Sequence, residues 1–345
     1  MLTQIQKLYT NLPYHNWQHA LTVHDRALAI LQKIQSLTDV DINVNIIELA
    51  TYGHDACFGA DIKGFKSQEH FTAHIIENML RKDYDEDFVS AVTQAILATN
   101  PWIEPISIEA KILRAADMGG LMHYDIYRED FNKLMQENEA NNEREFLLKS
   151  LNFLALYIWP SVHLTPNYYN TRGTSAWHSN TISNIIRHYR ELFDEPVIVE
   201  IGSGANPCVL FEEIEGLVIG VEPDKTARKD AISLLWGNKK TELIVPGTGA
   251  IIPVEEAIDS LRYYNVVLRH TEALNSNEIN RLKPQNVEII ETFSPTLGHK
   301  DTETAKKEIA KEIPYNLIKD TSAANLPNAS GDAFRLTFEI GNAQA

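Results

Sequence analysis

The chain has 345 residues, 44% of them hydrophobic and 23% charged, enough to bury a full core and long enough to predict about two domains. Lys and Arg total 31 against 47 Asp and Glu, a formal charge of -16, so the mean field repels phosphate polyanions, and neither long nucleic acid nor a membrane is an expected partner. Two cysteines, Cys57 and Cys208, form no ligand-spaced set, which excludes a disulfide scaffold and a cysteine zinc finger and points to the reducing cytoplasm. The most apolar window, Leu151 to Trp159, is short and interrupted by Asn152, and the N-terminus lacks a basic stretch followed by an apolar core. Neither a signal peptide nor a membrane span is therefore expected.

From Trp17 to Ile34 the residues Ala20, Leu21, Val23, Ala27, Leu28, Ile30, Leu31 and Ile34 recur at helical spacing, which predicts an amphipathic helix. Similar patterns predict helices near 42–54, 68–82, 86–98, 107–122, 126–138, 144–159 and 177–193. The texture changes at Phe193-Asp194-Glu195-Pro196. Short β-branched runs then predict strands at Val197–Ile201, Leu217–Val221, Glu242–Val245, Asn265–Leu268, Val287–Ile290 and Phe334–Ile340. Helix-like segments near 207–215, 225–236, 253–262 and 274–282 separate them, the pattern of βα units around a mainly parallel sheet. The expected layout is an all-α domain over 1–195 and a Rossmann-like α/β domain over 196–345.

Histidine is segregated where charge is not. Ten of the 12 histidines precede residue 196, whereas acids and bases divide evenly, 25 and 16 before that point against 22 and 15 after it. Metal or acid–base chemistry is therefore expected in the first half. His15 and His19 stand four apart at the start of the first long helix, within Tyr14-His15-Asn16-Trp17-Gln18-His19-Ala20, a spacing that puts both on one face. His54-Asp55 ends a second apolar helix, and Asp117 lies inside the apolar run Ile112 to Leu121, where an ionised carboxylate needs a cation or donor beside it. His19, His54, Asp55 and Asp117 supply two nitrogen and two anionic oxygen donors suited to Mn, Fe, Zn, Ni or Mg.

The order His, His-Asp, Asp on a helical scaffold resembles the HD superfamily of metal-dependent phosphohydrolases. The opening YHNxxHA is similar to both its cyclic-nucleotide phosphodiesterases and its small bacterial members. The resemblance implies that the four residues bind metal, that His15 protonates the departing oxygen, and that the substrate is a small nucleotide or other phosphate ester. Glu69, ahead of Thr72-Ala73, resembles the water-activating acid of the small bacterial enzymes. His70 and His74, again four apart, are candidates for a second metal or for phosphate, and Lys63 and Lys66 for local phosphate-binding charge. The chain lacks a histidine in Ala98-Thr99-Asn100-Pro101-Trp102 and a glutamine–aromatic purine clamp, so cyclic-nucleotide specificity is not expected.

In the second half Val197-Ile198-Val199-Glu200-Ile201-Gly202-Ser203-Gly204-Ala205-Asn206-Pro207 reads as a strand, a glycine turn and a helix start, which lets a ligand approach the backbone closely. Pro207 stands where the dinucleotide fingerprint wants a third glycine or alanine, which disfavours nicotinamide. The run EIGSGAN…GVEPD resembles S-adenosylmethionine-dependent methyltransferases instead. That resemblance implies that Glu200, Gly202, Gly204 and Glu222 hold the methionine and ribose parts of the cofactor. His270 and Glu291, near strand ends, are further candidates. The expected activity is thus a metal-dependent phosphohydrolase carrying a methyltransferase-like domain. The alternatives are a methyltransferase with a regulatory HD domain, an HD-type di-iron oxygenase and a non-enzymatic ligand sensor. The sequence leaves the oligomeric state open.

Overall fold

The computed structural model of the chain describes residues 1–62, 64–158, 176–195, 197–205, 207, 216–238, 242–245, 264–268, 286–292, 316–322 and 333–339, with Thr304 and Lys307. Contacts divide the chain into two compact units. The first takes Met1–Phe146, and the second begins at Leu147.

In the first unit α1 (Leu2–Gln6) and α2 (Trp17–Gln35) are followed by α3 (Val44–Gly53), α4 (Gln68–Leu80), α5 (Glu86–Leu97), α6 (Ile108–Asp117) and α7 (Tyr124–Glu137). A single 3-10 turn, Met118–Met122, links α6 to α7. Helices α2, α4, α5 and α6 start where a side-chain oxygen takes an otherwise unbonded N–H: Asn16 from His19, Ser67 from His70, Asp85 from Phe88 and Ser107 from Ala110. The core lies between α2, α3, α5 and α6, where Ala27, Ile47, Val92, Ile96, Ile112 and Leu113 are fully buried. Each such Val, Ile or Leu side chain contributes about 1.5–3 kcal/mol relative to exposure.

Helix α8 (Glu143–Ile158) opens at the junction of the two units, and α9 (Ala176–Leu192) precedes the first strand. The contacts assign α9 and most of α8 to the second unit, whereas the boundary expected at 195 keeps both in the first. Helical periodicity shows that a helix has an apolar face but does not say which partner covers it. The stripe Ile182, Ile185, Ile186 and Tyr189 of α9 is buried as its spacing predicts.

The sheet contains β1 (Val197–Ile201), β2 (Leu217–Val221), β3 (Leu243–Val245), β4 (Tyr264–Leu268), β5 (Asn286–Thr292), β6 (Asn316–Ser322) and β7 (Ala333–Glu339), with α10 (Lys225–Asn238) between β2 and β3. Their order is β3-β2-β1-β4-β5-β7-β6. Strands β1 to β5 pair in parallel, and β7 runs antiparallel to both β5 and β6. The sheet is thus doubly wound, and chain progression reverses between β1 and β4, the position where such sheets open a ligand crevice at the strands' carboxyl ends. Strand β6 is absent from the sequence expectation. Its residues Asn316-Leu317-Ile318-Lys319-Asp320-Thr321-Ser322 mix polar and apolar types around a bulge between Leu317 and Lys319, as an edge strand allows. The helices expected near 253–262 and 274–282, and all but the first residue of the one near 207–215, lie outside the described residues. Among the described residues no helix is long and apolar enough to cross a membrane.

Candidate metal centre and glycine-turn site

The side chains that meet in the first unit come from three helix ends. Asn16 accepts the His19 N–H at 3.1 Å while its own amide donates to Leu12 O and Pro13 O at 2.8 and 3.1 Å. This double tie fixes the chain entering α2 and sets His19 in the first turn. His54 follows directly on α3, Asp55 comes next, and Asp117 closes α6.

His19, His54 and Asp117 bring one potential ligand atom each to within 4.8 Å of one another. Asp117 Oδ1 lies 3.1 Å from His19 Nε2 and 3.7 Å from His54 Nε2. Asp55 joins them, its Oδ2 3.5 Å from His19 Nε2 and 3.0 Å from His54 Nε2. All four residues singled out from the sequence therefore converge. His54 Nδ1 donates to Thr51 O at 2.8 Å, so in the neutral ring Nε2 carries a lone pair directed at the group. Although Asp55 Oδ2 lies so near, the buried His54 Nε2 makes no hydrogen bond. Asp117 Oδ1 is hydrogen-bonded to His19 Nε2, whereas His54 Nε2 lies near both carboxylates without bonding to either, an arrangement that a cation between them would stabilise.

The electrostatics carry the same sign. Burial disfavours a charged His54, yet Asp55 and Asp117 outweigh it and hold the imidazole pKa well above its usual value. Burial likewise opposes ionisation of Asp117, but the hydrogen bond from His19 and the neighbouring His54 imidazole hold that carboxyl far below the usual range. Two buried carboxylates thus demand positive charge at this point, which protons or a metal ion can supply. The two-nitrogen, two-oxygen donor set is of the kind that holds a divalent ion.

His15 stands beside this group but is held differently. Its Nδ1 contacts Glu137 Oε1 of α7, and the Tyr14 and His15 N–H groups both donate to Glu137 Oε2 at 3.0 Å. Its ring stacks on Phe58 at a centroid distance of 3.5 Å. Burial pushes Glu137 up, but the bonds from His15 and Tyr14 outweigh it and leave its pKa below the usual value. Sequence reasoning missed Glu137, which sits 122 residues from its partner in a helix whose surface carries many acids.

The other candidates from the first half have separate settings. Glu69 accepts from Asn100 Nδ2 at 3.0 Å. His70 is tied to Ser67 at the start of α4, and His74 lies 3.0 Å from Asn78 Nδ2. His70 and His74 line a cavity of about 260 Å³ between α4 and α5 with Glu77, Glu86 and Ser90. Among the described residues they form no metal-type cluster with a third donor. Lys66 is exposed, and Lys63 lies outside the described residues.

In the second unit the site is made by backbone. Gly202 and Gly204 take φ values of 73° and 61°, the left-handed region that favours glycine. The Gly202 N–H donates to Val221 O at 2.8 Å, and the Gly204 N–H to Glu222 Oε2 at 2.9 Å. Glu222 Oε1 accepts from the Asp224 N–H at 2.8 Å, which leaves lone pairs of the carboxylate for a further donor. Glu200 lies in β1 opposite Gly220 of β2 and is fully buried. Gly220 is needed for close approach, since a Cβ there would stand 2.4 Å from Oε1 of the buried Glu242. His270 and Asn206 lie outside the described residues, and Glu291 sits in β5 opposite Phe334.

No protein-family model and no curated protein matches this chain. Among solved structures it is similar to the Pyrococcus abyssi tRNA (uracil-54, C5)-methyltransferase in complex with S-adenosyl-L-homocysteine, at 15% identity and a TM-score of 0.31 over 48% of this chain and 38% of that one. It is also similar to Aeropyrum pernix fibrillarin with natively bound S-adenosyl-L-methionine, at 9% identity and a TM-score of 0.29 over 41% of this chain and 66% of that one. A third likeness is to the O-methyltransferase TomG of Streptomyces achromogenes, at 13% identity and a TM-score of 0.29 over 49% of this chain and 82% of that one. The chain thus spans well under half the length of the tRNA methyltransferase. At these identities the likeness concerns chain path and carries no activity over to this protein.

Proposed function

We propose that the first unit is a metal-dependent phosphohydrolase acting on a small nucleotide or related phosphate ester. The observation that supports this reading most is the buried His54 Nε2, which makes no hydrogen bond although His19 and Asp117 bring ligand atoms within 4.8 Å of it and Asp55 Oδ2 stands 3.0 Å away. In this reading His19, His54, Asp55 and Asp117 hold the ion. When bound, a divalent ion offsets phosphoryl charge and makes water a stronger acid. His15 delivers a proton to the leaving oxygen from Nε2, since Nδ1 is engaged by Glu137. Glu137 orients the ring so that Nε2 is the nitrogen left to face the site. Phe58 covers one ring face and keeps water from that side.

The test is phosphate release from a panel of nucleotides and simple phosphate esters by protein loaded separately with Mn, Fe, Zn, Ni or Mg. Release is expected with at least one ion and is lost in His54→Ala and Asp117→Ala. No release with any ion, or release unchanged in those variants, would contradict it.

A second reading concerns the other unit, where the β1/β4 reversal, the glycine turn and Glu222 favour an S-adenosylmethionine-type ligand. Glu222 would take ribose hydroxyls with its remaining lone pairs, and Gly202 and Gly204 would admit the ligand close to the backbone. If methyl transfer is the working chemistry, the helical unit becomes its regulatory partner. Calorimetry with S-adenosylmethionine decides this: binding weakened by Glu222→Ala supports it, and no binding by the wild-type chain counts against it.

A further inference from the structure

Glu137, against His15, and Asp130, beside Gly120, add to the negative charge of Asp55 and Asp117, so a metal ion alone offsets only part of what a phosphate dianion would meet in this region. Of the cations named from the sequence, Lys66 is exposed on the segment before α4, and Lys63 lies outside the described residues. Arg114 is engaged elsewhere. It is buried, with NH1 on Ala98 O and Ile103 O at 3.3 and 2.7 Å and NH2 on Pro101 O at 3.2 Å, so it latches the loop after α5.

Arg26 has a different setting. It follows His19 by seven residues, two turns along the same face of α2. Its stem crosses the 3-10 turn after Asp117 so closely that a Cβ on Gly119 would stand 3.3 Å from Arg26 Cδ. Its guanidinium spans the same turn, with NH1 3.5 Å from Ala116 O and NH2 3.1 Å from where a Gly120 Cβ would be. Asp130 of α7 reaches that same point, its Oδ2 2.8 Å from it. Two consecutive glycines therefore clear a lane for a half-buried arginine across the turn that presents Asp117. One long bond to a carbonyl uses little of the guanidinium, whose five N–H donors match phosphoryl oxygens in pairs.

We propose that Arg26 binds the phosphoryl oxygens of the substrate beside the metal group, with Asp130 as the positioning residue that steers the guanidinium over Gly120. The proposal rests on the phosphohydrolase reading for its substrate, but its geometry asks only for phosphate next to a metal-loaded group. In an acidic chain this local cation makes the site selective for a small, strongly charged phosphate rather than for a polyanion.

The test is titration of inorganic phosphate into the Mn-loaded full chain, alongside hydrolysis of p-nitrophenyl phosphate and the metal content of each variant. Arg26→Ala is expected to weaken phosphate binding and raise KM by at least about tenfold, with Mn content unchanged and partial recovery on adding guanidinium chloride. Asp130→Asn is expected to give a smaller loss, about two- to fivefold, that guanidinium does not rescue. Should Arg26→Ala fail to fold, Arg26→Lys decides, because a lysine keeps charge but not paired donors and is expected to bind phosphate several-fold more weakly. Phosphate affinity unchanged in the arginine variants, loss of Mn from them, or no phosphate binding by the wild-type chain overturns the proposal. Phosphate binding that depends on Arg26 without hydrolysis of any ester supports it while removing the phosphohydrolase reading.

Discussion

The two units make their sites from different material. In the helical unit side chains from three helix ends, at positions 19, 54 and 117, converge within 4.8 Å, with Asp55 3.0 Å from His54. In the α/β unit the turn after β1 offers backbone, with Gly202 and Gly204 at positive φ and one carboxylate, Glu222, fastened to the Gly204 N–H. A site built from side chains states its chemistry, because imidazoles and carboxylates around a point demand a cation. A site built from backbone states the kind of ligand that fits and leaves the reaction open.

The largest expected effect separates these two kinds of site. His54→Ala or Asp117→Ala should lower metal-dependent phosphate release on the order of 10³-fold or more while leaving S-adenosylmethionine binding unchanged. Loss of both in calorimetry would mean that one fold depends on the other and would break the contrast. Next comes the proposed proton donor: on that reading His15→Ala is expected to reduce kcat by about 10²-fold. Glu137→Gln should cost about tenfold, since it frees the ring without removing it. A Glu137→Gln enzyme with wild-type kcat would show that His15 needs no orientation.

In the other unit Glu222→Ala should weaken S-adenosylmethionine binding by about 10-fold to 100-fold, the worth of hydrogen bonds to a charged group, with phosphate release untouched. A smaller effect sharpens the picture of the His15–Glu137 contact. Glu137 is held below its usual pKa, so its contribution to stability is present above the ordinary glutamate value near about 4.3 and is lost as pH falls through the lower folded value. Between pH 7 and about pH 3.5 the melting temperature of chelator-treated wild-type protein should therefore fall more than that of Glu137→Gln. Equal falls would contradict the pairing. The smallest effect belongs to Lys66→Ala, where an exposed side chain predicts phosphate release within about twofold of wild type.

Much of the fold was legible because its signals are local. Helical spacing marked α2 to α10, and β-branched runs marked β1 to β5 and β7, with ends displaced by a residue or two except at α6, which stops at Asp117 where the expected helix runs on to 122 through the 3-10 turn. Helix α1 was not, being five residues long and carrying one buried side chain, Ile5. Strand β6 has no clean alternation, and the allegiance of α8 and α9 depends on long-range packing that no window of sequence contains. The same distinction runs through the site. His19, His54, Asp55 and Asp117 stood out because each polar group interrupts or ends an apolar helix. Glu137, Arg26 and Asp130 lie among ordinary surface charges of α2 and α7, and only folding brings them to His15 and to the Gly119–Gly120 turn. Gly119 and Gly120 did carry a signal, since two glycines right after a buried acid are costly unless something must pass close by.

The most direct test of the metal centre is titration of Mn into chelator-stripped protein, wild type beside His54→Ala. A saturable site taking about one ion per wild-type chain, absent from the variant, is the expected result. Binding that is equal in the two proteins, or absent from the wild-type chain, would contradict the claim that His19, His54, Asp55 and Asp117 form a metal site.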